Sequence, residues 1–265
     1  MLHRPLAVLR ITRPVKSTLI SLGVLLPIAL TSSDWSRALA YGAPILLISM
    51  SAYTLNDLHD VERDMENHPE RPLPQQDLSL RSVAILFFVL LATALVLIEA
   101  FLPSAAKFIL AVSIIASITY SYVISHFPML KNVYVALISI LPLLAIRQAL
   151  GELAPPIEFG LPLFLFVAGV EMLSDINDRA GDGLTLANRL GPVTTGILGF
   201  ALKLIASLLF FVLAVSRLHL LGALLNLTFE VLLIGLWIAG VRKPLIIKSM
   251  AIQLVLAASL RLYPS

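Results

Sequence analysis

Apolar residues run along this chain in stretches of roughly twenty, separated by short polar connections. Nine stretches stand out, at about 15–33, 37–58, 80–101, 105–125, 131–149, 158–177, 190–215, 218–240 and 245–262. A membrane-crossing helix needs about 20 predominantly apolar residues, so the pattern predicts an all-α membrane protein with nine transmembrane helices. Pro27, Pro44, Pro142 and Pro162 fall inside these helices, where packing neighbours can satisfy the freed carbonyls. The two longest polar connections follow the second and sixth stretches. The opening MLHRPLAVLRITRPVK mixes basic and apolar residues. No small-residue cleavage site follows it, so residues 1–14 are expected to form an amphipathic arm rather than a signal peptide. With no low-complexity segment or linker, residues 1–265 read as one domain.

Composition agrees with the pattern. Hydrophobic residues make up 58% of the chain and charged residues 13%, with a mean hydropathy of +0.94; a soluble domain carries about 25% charged residues. The absence of cysteine excludes disulfides, thiolate nucleophiles and Cys-based zinc sites. The five histidines lack metalloprotease spacing. The formal net charge of +3 calls for no nucleic acid, because membrane proteins concentrate Lys and Arg on the cytoplasmic side. With the N-terminus inside, thirteen Lys and Arg residues fall on the inner face and five on the outer, with Lys203 left within a span. That asymmetry predicts a cytoplasmic N-terminus and places both long polar connections on the same side.

Those two connections hold the chemistry. Ten of the sixteen acidic residues lie between Asp57 and Glu70 or between Glu171 and Asp182. If the second helix continues through NDLHDVERD, Asp57, Asp60 and Asp64 stand at i, i+3 and i+7 and share one face, with Asn56 at its edge. Asp175, Asp178 and Asp182 repeat that spacing, with Glu171 one turn earlier. Carboxylates stacked on one face repel unless a cation neutralises them. Two such faces meeting would form a hard, oxygen-rich site suited to Mg²⁺, which keeps some waters and is commonly shared with substrate phosphates. Solvated loop charge is the plainer reading of any one acidic run; the repeat at two corresponding helix ends argues against it here.

These segments resemble a known family. NDLHDVERD fits the NDxxDxxxD motif of the UbiA superfamily of intramembrane prenyltransferases, and NHPERPLP, from Asn67 to Pro74, is similar to its continuation. DINDRAGDGLTLANRLG, from Asp175 to Gly191, resembles the family's second aspartate-rich segment; Tyr120–Ser121 and KNVYVAL from Lys131 resemble the connection between its fourth and fifth helices. The chain departs from the family at Ser174, at Ile124–His126 and in the short step from Asp182 to Thr185, where basic residues are common.

The resemblance implies a helical bundle around a central cavity, in which Mg²⁺ grips a prenyl diphosphate and the allylic cation left by ionisation alkylates an aromatic or lipid-type acceptor. It implies metal ligation, direct or through water, by Asn56, Asp57, Asp60, Asp64, Asp175, Asp178 and Asp182. Glu171 is expected to act as a base or a supporting group, because an intramembrane acid is functional by default. Arg71, Lys131 and Arg13 are expected to contact the diphosphate. Tyr53, Tyr120 and Tyr122 are candidates to line the cavity and face the cation. A terpene cyclase using the same metal motifs is the alternative. A cation transporter is a third reading, weakened because nothing comparable lies at the opposite ends of the helices.

Overall fold

The structure, a computed structural model, describes residues 3–151, 154, 157–179, 185–215 and 220–238. It is built from α1 (His3–Ile11), α2 (Pro14–Ser32), α3 (Trp35–His59), α4 (Val61–Asn67), α5 (Leu80–Phe101), α6 (Ser104–Tyr122), α7 (Pro128–Ile138), α8 (Leu141–Leu150), α9 (Gly160–Asp178), α10 (Leu186–Leu190), α11 (Pro192–Val215) and α12 (Leu220–Ile238). The described residues form no strand. Six helical segments are long and apolar enough to cross a membrane, or seven if the bent pair Pro5–Ile11 and Pro14–Ala29 counts as one span. The expected nine spans are therefore not reached among the described residues. The first eight apolar stretches each coincide with helix, whereas 245–262 lies outside the described residues.

Local sequence sets the helix ends. Asp34 caps α3 by accepting from the Arg37 N–H at 2.9 Å, and its carboxyl is held below the ordinary range chiefly by that bond. Ser79 caps α5 in the same way, accepting from Ser82. Pro27 and Pro44 stay inside α2 and α3. Pro142 does not: the single helix expected over 131–149 is two helices, α7 and α8, parted at Ser139–Ile140. Its ring lacks the N–H that would have bonded to Ile138, so a new helix starts there instead.

The packing is that of a membrane bundle. α3 lies against α2 and α5, and α9 against α11 and α7. Phe88, Val96, Phe101, Phe108 and Ile115 all project outward from α5 and α6, as suits helices solvated by lipid. α9 and α11 approach closely at two glycines. A Cβ on Gly169 would lie 2.5 Å from the Gly199 carbonyl oxygen and 2.7 Å from Lys203 Cγ. Small residues at such crossings let backbones touch. Beside this contact, Lys203 Nζ lies 2.9 Å from Glu230 Oε1 of α12, with both side chains fully buried. The ammonium also sits 5.4 Å from the Phe166 ring centroid and 5.3 Å from that of Phe200.

Candidate active site

The first acidic motif does not lie on a continuous helix. α3 ends at His59, Asp60 adopts φ −94° and ψ 11°, and α4 begins at Val61. The shared face expected for Asp57, Asp60 and Asp64 is thus broken at its middle member. Three arginines meet the three carboxylates, and one of them, Arg71, reaches two. Asp57 pairs with Arg13 at the start of α2, and Arg71 Nη1 lies 3.4 Å away from the same oxygen. Asp64 takes both of its bonds from Arg71 Nη1, at 2.6 and 2.5 Å. Asp60 accepts from Asn56 Nδ2 at 2.8 Å and faces Arg63 at 2.6 Å. Asp57 and Asp64 are buried. Burial pushes the Asp64 carboxyl up from its ordinary range, Arg71 pulls it down, and the charges of Asp57 and Asp60 add to the rise.

The second motif is organised around Asp175, only 1% exposed. It receives Lys131 Nζ at 2.8 Å, Asn132 Nδ2 at 2.9 Å and the Leu186 N–H at 3.3 Å. Thr185 begins α10 by accepting from the Asn188 N–H at 3.2 Å, which presents Leu186 to Asp175. Asp178 is the last residue of α9; its side chain and the whole of Asp182 lie outside what is described.

Aromatic residues connect the two motifs. The Tyr120 phenol lies within electrostatic range of Asp60 from one motif and of Asp175 and Glu171 from the other. Tyr53 feels Glu171 and carries the Arg13 guanidinium 5.0 Å above its ring centroid. Tyr120 stacks on Tyr134, whose hydroxyl donates to the Ala116 carbonyl at 3.0 Å. Tyr122 does not line the interior as expected. It is 55% exposed and packs edge-on against the exposed His59, because the preceding turn of α6 points Tyr120, not Tyr122, toward the motifs.

Several functional side chains escaped the sequence reading. Asn132, beside Lys131, completes the shell around Asp175, and Arg63 serves Asp60 from three residues on. Arg10 and Lys16 flank Arg13 by three positions on either side, and all three line a pocket of about 360 Å³ together with Asp57, Glu70 and Arg71. That i, i+3, i+6 spacing was the available signal.

The donor set is right for a hard cation. Asn56, Asp57, Asp60, Asp64 and Asp175 present oxygen ligands, and the buried Asp60 Oδ1 is met by the Arg63 guanidinium at 2.6 Å. Among the described residues, no three His or carboxylate side chains converge closely enough to hold an ion by themselves. An ion here would draw ligands from a substrate as well, as Mg²⁺ commonly does with phosphates.

Two acidic motifs, each met by basic side chains, lie in an apolar helical bundle with six segments long and apolar enough to cross a membrane among the described residues. The chain belongs to the UbiA prenyltransferase family, whose family model matches residues 15–248. Relatives include the digeranylgeranylglyceryl phosphate synthase of Methanothermobacter thermautotrophicus, 28% identical over 86% of this chain and 80% of the relative. That of Sulfolobus acidocaldarius is 29% identical over 68% of this chain and 67% of the relative. Among solved structures, a UbiA homolog from Archaeoglobus fulgidus bound to DMAPP and Mg²⁺ aligns with a TM-score of 0.76 at 18% identity, covering 96% of this chain and 97% of that one. A structure of digeranylgeranylglyceryl phosphate synthase aligns at 0.64 and 19% identity, covering 98% of each chain. These likenesses show that the fold is shared.

Proposed function

We propose that this prenyltransferase moves an isoprenyl group from a prenyl diphosphate to the hydroxyl of a lipid-type acceptor, the acceptor being a prenylated glyceryl phosphate. The class of acceptor rests on the relatives: the product in their name is a glyceryl phosphate bearing two geranylgeranyl groups. The observation that carries the reaction itself is that Asp60 of one motif and Asp175 and Glu171 of the other all act electrostatically on one phenol, that of Tyr120.

In this reading Asn56, Asp57, Asp60, Asp64 and Asp175, with Asp178 and Asp182, hold Mg²⁺. The ion, when bound, shares phosphate oxygens with these side chains and offsets the charge that develops on the leaving diphosphate. Lys131 and Arg71 turn from Asp175 and Asp64 toward the phosphate oxygens as substrate arrives, with Arg13 supporting Arg71 across Asp57. The C–O bond to diphosphate breaks, and the π faces of Tyr120 and Tyr53 stabilise the allylic cation. The acceptor hydroxyl oxygen forms the new C–O bond and releases its proton to Glu171. The surrounding apolar bundle keeps out water that would otherwise capture the cation.

The test uses purified protein, Mg²⁺ and labelled geranylgeranyl diphosphate, with and without geranylgeranylglyceryl phosphate. The expected product with acceptor is the digeranylgeranyl ether, with slow diphosphate release in its absence. Rapid acceptor-free conversion to a cyclic terpene would favour the cyclase and overturn this reading.

A further inference from the structure

A basic pocket adjoins the first motif at the N-terminal end of the bundle. It lies between α1, the start of α2 and the turn at His68–Pro72. Four permanent cations, Arg10, Arg13, Lys16 and Arg71, face it, against the carboxylates of Asp57 and Glu70. Arg71 is already paired with Asp64, so Arg10, Arg13 and Lys16 against Asp57 and Glu70 leave a surplus of one positive charge, the sign that attracts a phosphate monoester, which carries about −1.5 to −2 near neutral pH.

Its walls are held in place. Arg10 is anchored by donating to the Glu70 carbonyl oxygen. Arg13 has φ 45° and ψ 58° directly before Pro14, a left-handed conformation that a residue with a Cβ, and one preceding proline, rarely adopts. That backbone lets α2 leave α1 at a 50° bend and carries the three basic residues around one space.

The pocket adjoins the donor site and shares Asp57, Arg13 and Arg71 with it, while Arg10, Lys16, His68 and Glu70 belong to the pocket alone. Among the first-motif acids only Asp57 reaches it; Asp60, Asp64, Asp175 and Lys131 are not among its lining residues. Access also fits an amphiphile, since Leu6 and Leu9 of α1 are 56% and 55% exposed beside Arg10. An apolar flank next to a basic rim is the signature of a helix lying at a membrane interface.

We propose that this pocket binds the phosphate of the acceptor lipid, so that Arg10, Arg13 and Lys16 select a phosphorylated acceptor. The proposal rests on the lipid-acceptor reading given above. The same phosphate chemistry could come from the donor's diphosphate, and the experiment separates the two sources. The protein is assayed as wild type, Lys16→Gln and Arg10→Gln/Lys16→Gln, with geranylgeranylglyceryl phosphate or its unphosphorylated alcohol as acceptor and geranylgeranyl diphosphate as donor. In parallel, binding of glycerol phosphate is read as thermal stabilisation of each protein.

Wild type is expected to prefer the phosphorylated acceptor at least 10-fold in kcat/KM. The double variant should lose that preference through a rise of at least 10-fold in acceptor KM, with donor KM within twofold of wild type. Lys16→Gln alone should move the same way by a smaller factor, which covers misfolding of the double variant. Glycerol phosphate should stabilise wild type and not the double variant. A matching rise in donor KM would assign the pocket to the diphosphate and overturn the proposal, as would a wild type that neither binds glycerol phosphate nor discriminates between acceptors. If wild type transfers to no acceptor, the function fails on its own terms, and glycerol phosphate binding still decides the pocket.

Discussion

Lys131 and Asp175 form an ion pair whose structural and chemical roles can be separated. Their charged atoms are 2.8 Å apart and their side chains are 11% and 2% exposed, so neither charge has water to fall back on. Lys131→Met leaves Asp175 with Asn132 and the Leu186 N–H but no cation; Asp175→Asn leaves the ammonium facing a neutral amide. Breaking a buried pair from one side costs about 3–5 kcal/mol, whereas replacing both partners is often near neutral. Each single variant should therefore lower the thermal unfolding midpoint, and Lys131→Met/Asp175→Asn should recover most of the loss. Activity should behave differently. If Lys131 turns to the diphosphate, the lost charge-assisted hydrogen bond is worth about 1.5–3 kcal/mol, or roughly 10- to 100-fold in kcat/KM for the donor. That loss should appear in Lys131→Met alone and be at least as large in the double variant, which also lacks a proposed metal ligand, even though stability returns. Both are read on one detergent preparation, by differential scanning fluorimetry and by release of labelled diphosphate. A double variant that regained activity along with stability would show the pair to be purely structural and remove Lys131 from the chemistry.

Three further outcomes follow from the same geometry. Asp60→Asn keeps the shape and the Asn56 contact but removes a charge. It should abolish diphosphate release without unfolding the protein, and EDTA should silence the wild type; normal turnover in EDTA would refute the metal's role. Arg71 holds the Asp64 carboxyl down against burial, so Arg71→Gln should move the acid limb of the kcat/KM profile to higher pH, because the ionised carboxylate is then lost at a lower proton concentration; a limb that stayed put or moved to lower pH would contradict the assigned pairing. Single cysteines at Glu66 and Asn188 should react with an impermeant thiol reagent from the cytoplasmic side and one at Asp34 only from outside, on a background with no native cysteine; the reverse pattern would invert the topology expected from the Lys and Arg distribution.

The helices were readable because their cause is local and repeated: twenty apolar residues predict a span wherever they occur, and α2, α3, α5, α6, α9 and α11 begin and end within a few residues of their apolar stretches. The split of α7 from α8 was readable too, had Pro142 been given its usual weight near a helix start. The break at Asp60 carries no such mark. No Gly or Pro interrupts NDLHDVERD, and at the bend Asp57 and Asp64 share Arg71 while Asp60 meets Arg63. Of the cations around these acids only Arg13 is distant in sequence, 44 residues from Asp57, whereas Arg71 is 7 from Asp64; in the second motif Asn132, beside Lys131, is 43 residues from Asp175. Spacing within a motif identifies which acids belong together, but the distant partners of Asp57 and Asp175 are decided by how helices far apart in the chain pack. Tyr122 shows the same limit, since two tyrosines two residues apart on α6 must face different ways and only the packing tells which one turns inward.

The buried contact between Lys203 and Glu230 bears on how the protein is made. Synthesised alone, α11 would present a lysine to the lipid, and α12 would present a glutamate. A single charge at the centre of a helix costs about 2.5–3.5 kcal/mol on insertion scales, and α11 meets this cost while α12 is still in the ribosome. The two charges cancel only after Leu220–Ile238 has folded back beside Pro192–Val215. The pair should therefore leave the translocation machinery as a hairpin, with α11 retained there until α12 emerges. Correct insertion of this end of the bundle then depends on the order and timing of synthesis as much as on the hydrophobicity of either segment.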